Sequence, residues 1–191
     1  TARYNQIFGE AFKALISSVP EGQPLRLLEV GAGTGGITAS LLPALKGRDV
    51  HYLFTDISSA FFHSAKERFD EYAFVEYATL DIEKDPEQQG ILLHSYDVVI
   101  ASNVVHATRN LRETLANVRS LLAEGGVLCL LEVTEVPMYL DLSFGMTEGW
   151  WRFEDKELRP DHCTLDESGW TEVLAGAGFQ EVNSYSDVSK G

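Results

Sequence analysis

The chain has 191 residues, of which 45% are hydrophobic and 23% charged, and its 29 acidic against 15 basic residues give a formal net charge of -14. This length fits one domain of ordinary size, and the composition is that of a folded globular protein. The acidic balance argues against binding to nucleic acid or to an anionic membrane surface, since both require a cationic face.

Apolar periodicity predicts the elements of the first half of the chain. Residues 2–18 carry apolar side chains at three- and four-residue spacing, which predicts an amphipathic helix that ends before Pro20. The elements predicted after it are a strand at 25–30, a helix at 34–47, a strand at 51–56, a helix at 58–72 and a strand at 73–81.

The second half continues the alternation of strands and helices. Its predicted elements are a strand at 96–102, a helix at 111–126, a strand at 127–135, a helix at 170–177 and a strand at 179–186. Because these strands are apolar on both faces, they predict a three-layer α/β fold, a parallel sheet with helices on both faces. No further apolar strand follows before Gly191, so we expect the sheet to lack its last edge strand within these residues.

A glycine-rich turn follows the first strand, in the stretch "LLEVGAGTGG" at 27–36. Gly31, Gly33 and Gly36 spell G-x-G-x-x-G, and Asp56 ends the second strand, so the local pattern also fits a dinucleotide site. Glycine is needed where the chain turns tightly and a ligand approaches the backbone. In a doubly wound sheet such a turn lies at the carboxyl edge, beside the point where the strand order reverses.

Three carboxylates favour a cationic ligand at this turn. Glu29 precedes the turn, Asp56 ends the second strand and Asp81 ends the third. Glu29 would repel a pyrophosphate, whereas it would attract the sulfonium and ammonium groups of S-adenosylmethionine. A nicotinamide enzyme would also need a second nucleotide half and a substrate domain. The residues therefore favour the methyl donor, with an NAD-binding module as the alternative.

Five stretches together resemble one known family. In order, they are "LLEVGAGTGG", "YLFTDIS", "YDVVIASNVVHAT", "LLAEGGVLCLLEVTE" and "FGMTEGWWRFEDKELRP". From about residue 25 to 180 the chain resembles the methyltransferase domains of modular polyketide synthases and hybrid peptide synthetases. The resemblance implies a Rossmann-like class I methyltransferase sheet and an S-adenosylmethionine-dependent enzyme of secondary metabolite biosynthesis. Such domains methylate intermediates tethered to an acyl carrier protein.

The resemblance also implies a donor site. Four residues would contact the methionine part of S-adenosylmethionine: Glu29, Gly31, Gly33 and Gly35. The other contacts would be Asp56 and Ile57 at the ribose and adenine, Asp81 and Ile82 at the adenine edge, and Asn103 at the carbonyl side of the methionine. The product would be S-adenosylhomocysteine. No histidine–carboxylate cluster has metal spacing, so we expect no metal to take part.

A histidine and a glutamate are the candidates for proton removal. His106 follows the fourth strand in "SNVVHAT", and histidine is the side chain best suited to general-base catalysis near neutral pH. Glu132 lies in the apolar "CLLEV" of the adjacent fifth strand, where a carboxylate is costly unless it is paired. Neighbouring strand ends would let Glu132 orient the imidazole, and the resemblance assigns the same two residues as a catalytic dyad. The other histidines are predicted to be solvated: His51, His63, His94 and His162.

The stretch "GWWRF" suggests an apolar wall of the site that binds the methyl acceptor, called the acceptor wall below. Trp150 and Trp151 are adjacent, so one of the two rings is expected to point away from any packed face. At least one of them is predicted to line an acceptor tunnel, with core packing as the alternative. Arg152 and Arg159 are candidate contacts for the phosphopantetheine phosphate of a carrier, with a solvated position as the alternative.

These patterns combine into one expected domain and reaction. Residues 1–191 are expected to form a single methyltransferase domain of a larger synthase, with a short helix or lid remnant at 1–24 and a catalytic core at 25–191. Methyl transfer to the α-carbon of a β-ketoacyl thioester on an acyl carrier protein is the expected reaction. O-methylation of a β-hydroxyl or enol oxygen is the alternative, and a non-catalytic spacer is a second alternative. A carrier tethered by neighbouring synthase domains would need no long-range attraction.

The remaining expectations concern the compartment. No stretch approaches the roughly 18 apolar residues of a membrane span, and there is no basic-then-apolar leader, so we expect a cytoplasmic protein without membrane partners. Cys129 and Cys163 suit a reducing compartment. Thr1 rather than Met at the start fits either an excerpt from a longer polypeptide or a processed protein.

Overall fold

The structure is a computed structural model that describes residues 2–135, 142 and 148–185. A parallel β-sheet forms its centre. Its strands are β1 (Leu25–Val30), β2 (Val50–Asp56), β3 (Val75–Thr79), β4 (Tyr96–Ser102) and β5 (Leu122–Leu131). They lie in the order β3-β2-β1-β4-β5, and every pair is parallel. The order reverses between β1 and β4, so the carboxyl ends of these two strands flank the topological switch point.

Helices cover both faces of the sheet. They are α1 (Ala2–Ser18), α2 (Thr38–Leu45), α3 (Phe62–Arg68), α4 (Leu111–Leu121), α5 (Glu148–Trp151) and α6 (Glu167–Gly176). Adjacent residues of β1 point to opposite cores. Leu27 packs in a cluster with Phe12 and Leu41, whereas Leu28 packs in a second cluster with Leu115 and Trp170. The three-layer α/β fold predicted from strands that are apolar on both faces is therefore confirmed. Within the described part of the chain, no helix combines the length and the apolar character that a membrane crossing requires.

The boundary between α4 and β5 differs from the prediction. The helix predicted at 111–126 ends at Leu121, and β5 begins at Leu122, which pairs with Tyr96. The register then shifts, so that Val127 pairs with Val98. Residues 121–123 have good helix propensity, but the ladder with β4 outweighs it and leaves a bulge between the two paired stretches.

Other predicted elements also begin or end at different residues in the structure. The helix predicted at 34–47 begins at Thr38, because the preceding residues form the glycine turn. The helix predicted at 58–72 is a short 3₁₀ turn followed by α3, and the strands predicted at 73–81 and 127–135 span Val75–Thr79 and Leu122–Leu131. The strand predicted at 179–186 was wrong over 179–185, which pair with no strand in the described residues. A strand needs a partner ladder, and the two edge strands of the described sheet are β3 and β5.

Candidate active site

The three glycines predicted to bind the donor, all in the turn after β1, differ in their surroundings. A Cβ on Gly31 would lie 2.5 Å from Cγ2 of Val104, and one on Gly35 would lie 2.7 Å from the Phe69 ring. Around Gly33, with φ +54°, the nearest atom to an added Cβ is 4.0 Å away. Two of the predicted donor-binding glycines are thus required by protein packing. Gly33 alone among the three has a Cβ position open for a ligand to approach.

The carboxylate of Asp56 ties the glycine turn to β2. Its Oδ2 accepts a hydrogen bond from the main-chain N–H of Gly33 at 2.9 Å, and its Oδ1 accepts one from the N–H of Ser58 at 2.9 Å. The N–H of Ala32 donates to the carbonyl of Thr55 at 2.9 Å. Asp56 therefore lies directly against Gly33, so an anionic acceptor stands beside the open part of the turn.

Glu29 lies beneath the turn and is only 2% exposed. Its Oε2 accepts hydrogen bonds from the hydroxyls of Thr38 at 2.6 Å and Tyr52 at 2.5 Å. Burial raises the pKa of Glu29 from 4.5 to about 7, outweighing the two hydrogen bonds, which lower it. The attraction that this carboxyl exerts on a cationic ligand therefore depends on pH around neutrality.

The raised pKa of Glu29 predicts a pH-dependent stability. Between pH 4.5 and 7 the carboxyl is protonated in the folded chain but ionised in the unfolded chain, so unfolding releases a proton and becomes easier as the pH rises. The contribution to the free energy of unfolding is about 3 kcal/mol and is fully lost above pH 7. Urea unfolding measures the free energy of unfolding at pH 5 and at pH 8. From pH 5 to pH 8, that free energy should fall more for wild type than for Glu29→Gln, and the difference should be most of the contribution of about 3 kcal/mol.

The control for this measurement is Glu10→Gln, which alters an exposed carboxyl that accepts a hydrogen bond from Gln6. Its stability should follow wild type at both pH values. Stability curves of wild type and Glu29→Gln that run parallel from pH 5 to pH 8 would contradict the raised pKa.

The predicted adenine-side residues follow β2 and β3. Ile57 is 65% exposed, an unusual exposure for isoleucine at a strand end, and is open to contact by a flat apolar ligand. Asp81 forms an ion pair of 2.9 Å with Lys84, and its main-chain carbonyl accepts a hydrogen bond of 2.9 Å from Gln89. Ile82 is buried in the core, so that the loop after β3 is anchored on the sheet.

Asn103 occupies the tight turn after β4. It adopts φ +52°, a left-handed conformation that asparagine tolerates better than most residues. Its main-chain N–H donates to the carbonyl of Leu131 at 2.7 Å, and its side chain is exposed. This turn brings the end of β4 against the end of β5.

His106 and Glu132 meet where β4 and β5 end. His106 lies in the 3₁₀ turn Val105–Ala107, and its Nδ1 is 2.5 Å from Oε2 of Glu132. The other oxygen, Oε1, accepts hydrogen bonds from the main-chain N–H groups of Val104 at 3.2 Å and Val105 at 2.8 Å. Both side chains are almost fully buried. Since a carboxylate only accepts hydrogen bonds, Nδ1 carries the proton, which leaves Nε2 able to accept one.

Three further aromatic rings pack in a row that starts at His106: Trp150, His162 and Trp151. Trp150 packs edge-to-face on His106 with ring centroids 5.5 Å apart, and on His162 at 5.4 Å; His162 also contacts Trp151 at 5.8 Å. Trp150 is 6% exposed and Trp151 50%, so the prediction that one ring points away from the packed face is confirmed. His162, predicted to be solvated, is instead half-buried between the two tryptophans.

The two arginines predicted to contact a carrier phosphate both form ion pairs within the protein. Arg159 is 1% exposed, so this expectation was wrong for Arg159, whose guanidinium cannot reach an external phosphate. Arg152 forms an ion pair with Glu83, which also accepts a hydrogen bond of 2.5 Å from the main-chain N–H of Arg109. Glu83 thus connects the loop after β3 with the segment that carries His106.

Several structural partners of the site were not identified from the sequence. The sequence did indicate that residues such as Tyr52 and Thr38 must exist, because a glutamate inside an apolar strand needs hydrogen-bond donors nearby. Val104 and Phe69 could not be identified in this way, since nothing in a sequence tells which side chain will fill the space beside a glycine. The described residues contain no group of three or more His, Cys, Asp and Glu side chains that could hold a metal ion.

Comparison with known proteins gives one family match. The sequence model of a family described as "Methyltransferase domain" matches residues 28–128. This range covers the glycine turn, the 3₁₀ turn with His106 and most of β5.

Relatives and solved structures extend the match. The non-reducing polyketide synthase mapC of Penicillium roqueforti (strain FM164) is 42% identical over 174 residues, which cover 88% of this chain but 7% of that synthase. The CurJ carbon methyltransferase has a TM-score of 0.93 and 46% identity, over 97% of this chain and 50% of that one. The trans-methyltransferase CalH, solved in complex with SAH, has a TM-score of 0.82 and 40% identity, over 93% of this chain and 52% of that one.

Proposed function

We propose the reaction of this chain from one premise: the chain belongs to the methyltransferase domain family, and it is an S-adenosylmethionine-dependent methyltransferase. The proposed reaction transfers a methyl group to the α-carbon of a β-ketoacyl thioester carried on an acyl carrier protein. The observation that carries this proposal is the buried His106–Glu132 pair, whose Nδ1–Oε2 distance is 2.5 Å. A proton on carbon is removed only by a well-oriented base, and this pair supplies one.

The relatives support a carbon acceptor and a synthase setting. CurJ is a carbon methyltransferase, and mapC is a non-reducing polyketide synthase. Because this chain spans 7% of mapC, we take residues 1–191 as one domain among neighbouring synthase domains. Residues 1–24 would contribute a short helical lid, and residues 25–191 the catalytic core. The family match also favours the methyl donor over the NAD alternative.

The donor site follows the glycine turn and the strand ends beside it. Gly33, whose Cβ position is open, and Asp56 would hold the donor together with the exposed Ile57. The other residues of the proposed donor site are Glu29, Gly31, Gly35, Asp81, Ile82 and Asn103. When bound, S-adenosylmethionine supplies an electrophilic methyl group. The turn and the carboxylates orient that group toward the acceptor, which is the main task of the protein in a displacement by an activated donor.

His106 is proposed to be the base. Its Nε2 accepts the α-proton of the β-ketoacyl group, so that the electron pair of the C–H bond moves into the enolate. Glu132 accepts the Nδ1 hydrogen bond and stabilises the imidazolium that forms. Trp150, packed on the His106 ring, would exclude water from the nucleophilic carbon. Trp151, half exposed, would contact the acyl chain.

The attachment site of the methyl group tests this proposal. The substrate is a β-ketoacyl pantetheine thioester with deuterium at the α-carbon, and the donor is S-adenosylmethionine with a ¹³C-labelled methyl group. We expect a product with a carbon-bound methyl resonance and with one deuterium lost. A β-hydroxyacyl analogue should remain unmethylated. An oxygen-bound methyl resonance with either substrate would establish the O-methylation alternative instead. If calorimetry detects no binding of S-adenosylmethionine to the folded chain, the result would support the alternative of a non-catalytic spacer.

A further inference from the structure

Arg159 is a buried cation that neither the family match nor the proposed chemistry explains. It is the largest of the fully buried side chains in the described residues. A buried charge is costly unless it is paired and its hydrogen bonds are satisfied. Asp155 supplies the counter-charge, since its Oδ1 accepts a hydrogen bond of 2.7 Å from Nε of Arg159.

The remaining donors of Arg159 are directed at the segment that carries His106. One terminal nitrogen donates to the carbonyl of His106 at 2.8 Å and to that of Cys163 at 3.2 Å. The other donates to the carbonyls of Thr108 at 2.8 Å and Arg109 at 3.1 Å. Three of the four carbonyls thus belong to residues 106–109, so one rigid guanidinium fixes the main chain on the C-terminal side of the imidazole.

The same ion pair also fixes the start of α4. Oδ2 of Asp155 accepts a hydrogen bond of 2.8 Å from the main-chain N–H of Leu111, the first residue of that helix. The main-chain N–H of Arg159 donates to the carbonyl of Asp155 at 3.0 Å, which closes the loop between the two partners. The Asp155–Arg159 pair therefore spans the connection from the His106 turn to α4.

The 3₁₀ turn with His106 is held from both ends by opposite charges. On its N-terminal side, Oε1 of Glu132 accepts hydrogen bonds from the N–H groups of Val104 and Val105. On its C-terminal side, the Arg159 guanidinium donates to the carbonyls. An anion at the N–H end and a cation at the C=O end both stabilise a helical turn. The imidazole is consequently fixed through its own backbone as well as through Nδ1.

We propose that Arg159 is a positioning residue that holds the His106 imidazole in reactive orientation through the main-chain carbonyls of residues 106–109. This inference rests on the proposed role of His106 as base. Arg159 touches neither donor nor acceptor in this scheme. Its effect is on the rate of the step that His106 performs, because a small displacement of a reacting group can cost about 100-fold in rate.

Arg159→Lys tests the proposal, because lysine keeps the charge but cannot reach several carbonyls in one plane. We expect kcat with the β-ketoacyl pantetheine thioester to fall about 10- to 100-fold, with KM and the Kd for S-adenosylmethionine within about twofold of wild type. The ¹H–¹⁵N resonance of the His106 Nδ1 proton should shift or broaden. Arg112→Lys is the matched control: Arg112 pairs with Glu157 at 2.7 Å on the surface, and its replacement should change none of these readouts.

Asp155→Asn tests the same contacts from the other partner, because it removes the counter-charge and leaves the guanidinium in the chain. We expect a several-fold fall in kcat with donor affinity retained. Folded Arg159→Lys protein with wild-type kcat and an unchanged Nδ1 resonance would overturn the inference. So would loss of the fold in both variants, which would make the ion pair purely structural. His106→Ala separates the two proposals: if it retains full activity, the proposed base is wrong, whatever Arg159 does.

Discussion

Replacing His106 by alanine is expected to lower kcat for carbon methylation by about 10²- to 10⁴-fold. The substitution removes Nε2, the ring nitrogen left to accept the α-proton when Nδ1 is bonded to Glu132. The donor contacts proposed at the glycine turn are untouched, so the Kd for S-adenosylmethionine should change little. Initial rates with the β-ketoacyl pantetheine thioester, together with calorimetry of donor binding, measure both quantities.

Glu132→Gln is the second variant of this experiment. A glutamine would present an N–H to Nδ1, so the ring would carry its proton on Nε2 and could no longer accept one from carbon. We therefore expect a loss of kcat of the same order as for His106→Ala. His63→Ala is the matched control, since that histidine is 87% exposed on its side chain and lies on α3. Undiminished methylation by both His106→Ala and Glu132→Gln would exclude the pair as the catalytic base.

The strand framework and the meeting of His106 with Glu132 were predictable for one physical reason. Strands that are apolar on both faces require helices on both sides, and parallel strands end at the same edge. A polar residue after β4 and another after the apolar part of β5 therefore had to approach each other. The pairing of β4 with β5 and the 2.5 Å contact between the two side chains agree with that expectation.

Features that depend on tertiary competition were not predictable. The "LLAEGG" segment has the composition of a helix end, yet Leu122 already pairs with Tyr96 in the sheet. Arg159 looked like a surface cation, since nothing nearby in the sequence indicated that Asp155 and four carbonyls would surround it. Gly31 fitted a ligand-binding motif, but its Cβ position is filled by Val104. In each case, contacts between residues far apart in sequence determine the structure, and the local sequence pattern does not predict those contacts.

Trp150 and Trp151 are expected to respond differently to alanine, although they are neighbours in sequence. Trp150 is 6% exposed and belongs to a small buried cluster with Phe153 and Cys163. Trp150→Ala should lower the free energy of unfolding by about 3–5 kcal/mol, because it leaves a cavity beside His106. Trp151 is 50% exposed, so Trp151→Ala should change stability by no more than about 0.5 kcal/mol.

Kinetics then separate packing from contact with the acceptor. If Trp151 contacts the acyl chain, Trp151→Ala should raise KM for the thioester while leaving kcat nearly unchanged, because the lost interaction exists equally in the ground state and the transition state. Trp150→Ala should lower kcat as well as stability, since the ring that packs on His106 at 5.5 Å is gone. Trp150→Phe, which keeps an apolar ring at this position, should recover part of both losses. Urea unfolding and steady-state kinetics on the three variants give the comparison. An unchanged KM in Trp151→Ala would remove Trp151 from the acceptor wall, and a kcat preserved in folded Trp150→Ala would make Trp150 a core residue only.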